Sequence, residues 1–308
     1  MIRTILWLLT VGLMLVSVVP HIWTGYWFVD LFSHYKLHYL IAAMLLLAFS
    51  FWKARVRLLM IILTGILAFN AIFIVPFYLP AGPTVDPEAT TFKLLSFNIL
   101  SENKRYEEVV NFIESEDPDF IALQEYDVSW HRALQSKLPQ YPYRLVLPVA
   151  GNFGIATFSK YPAAFRPEYF GLSQVASIVA TISTDSKTIT LINTHTVPPI
   201  GAFDFRSRNQ HFQHIVSSHY FDRYNLIVAG DMNSSSFSPH FRPLLQSGDL
   251  KDSRLSFGLQ HSWPAGRPYM STTLDHVLIS PNIVVSDRRT GPSLGSDHRS
   301  VIMEFQIP

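Results

Sequence analysis

The 308-residue chain has no cysteine, which excludes disulfide bonds, and only 15% of its residues are charged. The lack of cysteine is compatible with an oxidising compartment. Neither sign of charge dominates, because 24 basic and 23 acidic residues leave a formal net charge of +1. A general duplex-binding protein usually carries a basic footprint, and none is found here. Internal repeats and low-complexity segments are also absent.

Hydrophobic residues make up 48% of the sequence, and many of them lie in three apolar runs near the amino terminus. Spanning a bilayer takes about 20 apolar residues, and aromatic residues crowd the ends of these runs as they do in interfacial belts. No small-x-small cleavage site precedes His21, which argues against a cleaved signal peptide. We therefore predict a membrane domain over residues 1–80, with three transmembrane helices at about 1–20, 37–52 and 56–79.

The short loops predict the orientation of these helices. The second loop carries three basic residues, whereas the first loop has Asp30 and only Lys36. The positive-inside rule then places the amino terminus and the second loop in the cytoplasm. Three crossings leave the remainder of the chain outside, on the periplasmic side of an inner (cytoplasmic) membrane. The expected partner is the lipid bilayer, and no protein partner is predicted.

A proline-rich polar stretch at 81–91 is a predicted linker, and residues 92–308 are enough for one domain with a sizeable core. Short apolar runs alternate there with two amphipathic helical patterns, at 106–113 and 205–216. Continuous apolar runs such as LIVA indicate strands covered on both faces, as in an α/β domain with packed sheets. Strands are predicted at 92–97, 120–123, 155–158, 175–182, 188–192, 226–229, 274–279 and 301–305.

Polar residues stand at the ends of several of these strands. Taken singly, each is most often a turn former or a solvated strand end. Together they collect carboxylates, carboxamides and imidazoles, which a hard cation and a phosphate need. The set comprises Asn98 in LLSFNIL, Glu125 in IALQE, His195 in LINTHTVPP, Asp231 and Asn233 in LIVAGDMN, Asp275 in TTLDHVLIS, and Asp297 and His298 in GSDHRSVIMEF.

These motifs, in this order, resemble the endonuclease/exonuclease/phosphatase superfamily over roughly residues 92–307, and GNFGIATFSKYP (151–162) resembles it as well. The resemblance implies a four-layer α/β/β/α sandwich of two packed mixed sheets, here preceded by three transmembrane helices. It also implies a metal-dependent hydrolase of phosphate esters. Some members have a tyrosine where His195 stands, which places this chain nearer the deoxyribonuclease and sphingomyelinase pattern than the abasic-site one.

The resemblance further implies a metal site. Glu125 would be the principal metal carboxylate, with Asn98 and Asp297 nearby. Magnesium is usually held by one or two carboxylates plus water, which suits this sparse set. The expected cofactor is therefore Mg²⁺, with Mn²⁺ as a substitute.

The catalytic roles that the resemblance implies fall on five residues. Asp231 would orient and deprotonate the attacking water, and Asn233 would donate its amide to that water or to the phosphate. His298 would contact the scissile phosphate or transfer a proton, held in place by Asp275. His195 would bind a non-bridging oxygen and stabilise charge in the transition state.

Several alternatives stay open at this stage. The substrate is either nucleic acid or a phospholipid headgroup, because near-neutral charge disfavours duplex DNA while a membrane anchor favours lipid. A catalytically silent binding module of the same fold is the alternative function. Arg206, Arg208 and Gln210 either contact phosphate or form a solvated first turn. Trp263 and Arg267 lie either in a substrate groove or in a plain surface loop.

Overall fold

Three long apolar helices begin the chain in the computed structural model, which describes residues 1–80, 84–185, 187–220, 224–247 and 249–308. Helix α1 spans Ile2–Ile22. A short helix α2 (Trp27–Asp30) and a 3-10 turn (Leu31–Tyr35) lead into α3 (Lys36–Phe49). Helix α4 (Arg57–Ile74) continues as a 3-10 turn over Val75–Tyr78. Three stretches of the described chain are long and apolar enough to cross a membrane: Ile2–Ile22, Trp27–Lys53 and Arg57–Tyr78.

The helices pack through apolar layers, and the last layer joins them to the rest of the chain. In this layer Ile74 and Phe77 of the third stretch pack against Phe237 and Leu259. The other two layers lie within the bundle and are formed by Leu6, Leu59 and Leu63, and by Leu13, Ala43 and Ile66. The loop between α1 and α3 therefore lies at the same end of the bundle as the domain that follows.

Of the predicted linker, residues 81–83 lie outside the described residues, and the part that follows is tied to the end of the last strand. Gln306 accepts from the Asp86 amide at 2.9 Å and donates to the Asp86 carbonyl at 2.8 Å.

Within the described residues, twelve strands form two mixed sheets of six strands each. They are β1 Thr91–Asn98, β2 Phe120–Gln124, β3 Tyr143–Leu147, β4 Ile155–Ser159, β5 Ala163–Tyr169, β6 Ala176–Ser183, β7 Thr188–Asn193, β8 Leu226–Asp231, β9 Lys251–Asp252, β10 Asp275–Ile279, β11 Val284–Thr290 and β12 Val301–Gln306. One sheet has the order β11-β12-β1-β2-β4-β3, and the other has the order β5-β6-β7-β8-β10-β9. The β1–β2 and β7–β8 pairs are parallel, and the remaining pairs are antiparallel.

The two sheets pack face to face because successive side chains of each strand point to opposite faces. Leu94 lies in the core between the sheets, whereas Leu95 lies in the core on the outer face of its sheet. In the other sheet, Ile227 lies in the core between the sheets, and Val228 lies in the core on the outer face. Burying each such side chain contributes about 1.5–3 kcal/mol.

Helices cover both outer faces of the sandwich. Helices α5 (Tyr106–Glu116) and α6 (Val128–Leu134) pack on the sheet that contains β1. Helices α7 (Ala202–Val216) and α8 (Arg242–Gln246) pack on the sheet that contains β8. The four-layer α/β/β/α architecture predicted from the sequence is confirmed.

Candidate active site

All the polar strand-end residues meet at one edge of the sandwich. Strands β1 and β2 run parallel, so Asn98 at the end of β1 and Glu125 just after β2 emerge at the same edge. Strand β12 is antiparallel to β1, so the loop before it, which carries Asp297 and His298, reaches that edge too. In the other sheet, β7 and β8 end there, and the antiparallel β10 begins there.

Asp231 lies at the centre of this edge. Its Oδ2 atom lies 3.5 Å from His195 Nε2 and 3.6 Å from His298 Nε2. Its Oδ1 atom accepts a hydrogen bond from the backbone amide of Asn233 at 2.9 Å. Gly230 lets the backbone before Asp231 lie close to the backbone before His195, since a Cβ at Gly230 would lie 1.8 Å from the Thr194 carbonyl oxygen. The Asp231 carboxylate therefore lies between two imidazoles, and the contacts among these groups can shorten when a substrate binds.

His298 is oriented by a second carboxylate. Asp275 is the antiparallel partner of Asp231, which places both carboxylates at the same edge. Asp275 Oδ2 lies 2.8 Å from His298 Nδ1. This contact leaves Nε2 facing Asp231. This contact has the geometry that the positioning role implied for Asp275 requires, and the role itself stays a prediction.

The charges of the site follow from these contacts. Burial alone would lower the pKa of His298, but the carboxylates of Asp275 and Asp231 outweigh it and raise that pKa to about 10. Burial would raise the pKa of Asp231, but His298 and His195 hold it well below its usual range. At neutral pH the pair is therefore an imidazolium beside a carboxylate.

Asn98 joins the two sheets at the site. Its amide nitrogen donates to Glu125 Oε1 at 3.1 Å and to Asp231 Oδ2 at 3.0 Å. Its carbonyl oxygen accepts from the Leu100 amide at 3.1 Å. In this arrangement Asn98 positions two carboxylates. To serve as the predicted metal ligand, it would have to turn its oxygen towards Glu125.

Glu125 and Asp297 offer carboxylates of the kind that a hard cation binds. Glu125 has a φ of +59°, and its Oε2 atom accepts from the Ser101 amide at 3.1 Å. Asp297 is half-exposed and accepts from Trp263 Nε1 at 2.9 Å. Both residues line the same cavity, where Glu125 is buried and Asp297 is exposed. Two carboxylates of this kind suit a magnesium ion that keeps several waters.

A second acidic group lies beside them. Asp231, Asp275 and His298 each bring one potential ligand atom within 4.8 Å of the others. The His298 ring is already engaged, with Nδ1 on Asp275 and Nε2 facing Asp231. This group is therefore better suited to handling water and phosphate than to holding the cation.

Beneath the site, a buried asparagine that sequence reasoning missed connects the two sheets. Asn193 accepts from Gln124 Nε2 at 2.7 Å and donates to the Ala156 carbonyl at 2.9 Å. It stands at the end of β7, two residues before His195. Its position after the run TITLI was the only sequence signal.

Arg206, Gln210 and Arg267 are not among the described residues that line the cavity. Arg208 is fully buried and pairs with Asp30 at 2.8 Å, so it does not contact phosphate at the cavity. Trp263 lines the cavity and packs near His298, with ring centroids 6.4 Å apart. His276 is a buried strand residue whose ring contacts the Ser234 carbonyl at 2.9 Å.

A cavity of about 630 Å³ opens over these groups. Glu125, His195, Asp231, Asn233, Asp297 and His298 line it together. Its other lining residues went unrecognised as site residues in the sequence, apart from Trp263 and the 151–162 motif. They are Trp27, Leu31, His34, Tyr35, Pro198, Pro199, Ile200, Thr272 and Leu274.

Comparison with known proteins agrees with this geometry. The family model described as "Endonuclease/Exonuclease/phosphatase family" matches residues 95–298, which include all eight predicted site residues. The chain belongs to this family. Its members are divalent-metal-dependent hydrolases and nucleases that act on phosphate esters. A search of curated protein sequences found no match.

Solved structures share the fold at low sequence identity. An endonuclease/exonuclease/phosphatase from Bacteroides vulgatus is 17% identical, with a TM-score of 0.59 over 71% of this chain and 100% of that one. D. rerio TDP2 in complex with a single-strand DNA product is 14% identical, with a TM-score of 0.57 over 70% and 99%. The human Nocturnin catalytic domain with bound sulfate is 18% identical, with a TM-score of 0.57 over 71% and 95%.

Proposed function

We propose that this protein is a membrane-anchored, Mg²⁺-dependent phosphodiesterase or phosphatase. The observation that carries the proposal is the convergence of two histidines and three carboxylates on one cavity: His195 and His298, with Glu125, Asp231 and Asp297. Imidazoles, carboxylates and a hard cation are the groups that phosphoryl transfer to water requires.

Glu125 and Asp297 would hold the cation, which when bound would polarise the phosphoryl group and acidify water. Mn²⁺ would substitute for Mg²⁺. Asp231 would accept a hydrogen bond from the attacking water and set its direction. Asn233 donates one amide N–H to the Thr196 carbonyl at 2.8 Å, and its amide has a second N–H for the water or the phosphate.

The two histidines would contact the reacting phosphate beside Asp231. His195 and His298 both present Nε2 towards Asp231 at 3.5 and 3.6 Å. In that position they would donate hydrogen bonds to non-bridging oxygens as negative charge grows in the transition state. Asp275 would keep the His298 ring in place throughout.

The anchor and its orientation are part of the proposal. The three apolar stretches would cross the cytoplasmic membrane, with the amino terminus and residues 53–57 inside. The first loop and the hydrolase domain would then lie outside. Contacts of the first loop with the domain support a common side, since the Thr24 carbonyl lies 2.7 Å from His240 Nε2. A carboxyl-terminal reporter that is active only in the cytoplasm should stay silent, and its activity would overturn this orientation.

The chemistry is tested with the purified full chain and a soluble chromogenic diester, bis(4-nitrophenyl) phosphate. We expect hydrolysis in Mg²⁺ that EDTA abolishes and Mg²⁺ restores. Asp231→Asn should reduce the rate about 10²–10³-fold, the range seen when one transition-state contact is removed. Asp287→Asn is the matched control and should retain the wild-type rate, because the Asp287 side chain is 46% exposed on the edge strand β11. Equal rates for Asp231→Asn and wild type would refute the assignment.

A further inference from the structure

One wall of the active-site cavity comes from the membrane domain. Trp27, Leu31 and Tyr35, in the segment that joins α1 to α3, line the same cavity as Asp231 and His298. Trp27 is also the first residue of the second stretch able to cross a membrane. Tryptophan and tyrosine are enriched at membrane interfaces. The cavity therefore lies next to the position where the chain would enter the bilayer.

Buried contacts fix this wall to the hydrolase domain. His34 Nδ1 lies 2.8 Å from the Ser235 hydroxyl and 3.2 Å from the Ser235 amide. The His34 carbonyl accepts from the Thr272 hydroxyl at 3.0 Å. Asp30, four residues earlier, pairs with the fully buried Arg208. Polar groups buried this deeply are costly to separate, so the wall is a permanent part of the site.

The cavity's chemistry divides into a polar side and an apolar side. The polar side has the histidines and carboxylates that suit one phosphoryl group. Beyond it, the lining among the described residues includes neither lysine nor arginine. A nucleic acid chain is bound largely through Lys and Arg on successive phosphates, and these are lacking here.

The apolar lining comes from two parts of the chain. Trp27 and Leu31 belong to the membrane segment, and Pro199 and Ile200 belong to the loop after β7. Ile200 is 74% exposed, which leaves a large aliphatic side chain in solvent at the rim. An apolar rim beside a proposed bilayer surface suits a ligand that carries its own hydrocarbon.

On the proposed function, we propose that the substrate is an amphiphilic phosphate ester drawn from the bilayer. Its phosphate would lie against His195, Asp231 and His298, and its hydrocarbon would lie against Trp27, Leu31 and Ile200. The segment that joins the first two apolar helices would thus select the substrate.

The test uses two chromogenic diesters that differ only in one alkyl group, methyl 4-nitrophenyl phosphate and hexadecyl 4-nitrophenyl phosphate. Both are presented to the full chain in the same detergent micelles with Mg²⁺. We expect kcat/KM to be at least about tenfold higher for the hexadecyl diester, the factor for burying two methylenes. Trp27→Ala should lower that ratio towards one, and Leu31→Ser should do so independently. Trp23→Ala is the matched control, because Trp23 is 65% exposed and lies outside the cavity.

The outcomes separate this inference from the function on which it rests. Equal kcat/KM for the two diesters would refute the binding of substrate hydrocarbon by Trp27 and Leu31. A ratio that Trp27→Ala and Leu31→Ser leave unchanged would refute it as well. Neither result would contradict the phosphodiesterase activity. Faster cleavage of a single-stranded DNA oligonucleotide than of the hexadecyl diester would overturn the inference in favour of nucleic acid. No hydrolysis by the wild type of either diester, or of 4-nitrophenyl phosphate as a monoester, would overturn the proposed function and the inference with it.

Discussion

At the buried pair of Asp30 and Arg208, a single substitution should cause one of the largest losses in the free energy of unfolding. Both side chains are fully buried, and their charged atoms lie 2.8 Å apart. Asp30 also accepts from the Ser238 hydroxyl at 2.7 Å. Asp30→Asn keeps the shape of the side chain and removes its charge. Arg208 would then retain only neutral acceptors, the Asn209 side chain and the Asn233 carbonyl.

Removing one partner of a buried ion pair costs about 3–5 kcal/mol, because the remaining charge is left uncompensated. The surface pair of Asp287 and Arg289 provides the contrast, since its atoms lie 3.8 Å apart and its side chains are 46% and 41% exposed. Such exposed pairs contribute about 0–1 kcal/mol. Asp30→Asn should therefore lower the free energy of unfolding by several times the loss in Asp287→Asn.

The assay is denaturant unfolding of the full chain in detergent, followed by tryptophan fluorescence. The double variant Asp30→Leu with Arg208→Met should recover much of the loss, because it leaves no buried charge unpaired. If Asp30→Asn were no more destabilising than Asp287→Asn, the first loop would not be docked on the hydrolase domain as described.

Three further predictions concern the site itself. Glu125→Gln should raise the Mg²⁺ concentration needed for half-maximal activity, with part of the rate recovered at high Mg²⁺; an unchanged metal titration would remove Glu125 from the metal site. Asp275→Asn should reduce kcat about 10- to 100-fold by releasing the His298 ring, with the melting temperature nearly unchanged. A collapse of the melting temperature would instead assign Asp275 a structural role. Asn193→Ala should lower the free energy of unfolding by about 1–3 kcal/mol for each buried partner left unpaired, such as Gln124. An unchanged free energy of unfolding would argue against the polar bridge between the sheets.

The sequence predicted the interior strands and missed the edges of both sheets. Strands β3, β5, β9 and β11 stand at the four sheet edges, and none was predicted. In β5 half-buried and exposed positions alternate, and three residues of β11 are charged. Edge strands carry less apolar surface and more charge, so they lack the continuous apolar runs that marked β2 and β8.

The positions of the site residues could be predicted because each adjoins a strand that the sequence marks with an apolar run. Asp231 after LIVAG and Glu125 after IALQ are examples. The partners of these residues could not be predicted in the same way. Arg208 has the sequence context of a phosphate contact, yet it pairs with Asp30, 178 positions earlier in the chain. Trp27 joins the cavity only through the docking of the first loop, which leaves no periodic signal.

In the proposed reaction, water oriented by Asp231 attacks phosphorus in the presence of a divalent metal. The decisive experiment is hydrolysis of bis(4-nitrophenyl) phosphate by the full chain with Mg²⁺ in ¹⁸O-labelled water, with the masses of both products determined by mass spectrometry. We expect one heavy oxygen on the phosphoryl product and none on the nitrophenol, with no turnover in EDTA. Heavy oxygen on the nitrophenol, or turnover that persists in EDTA, would refute this reaction.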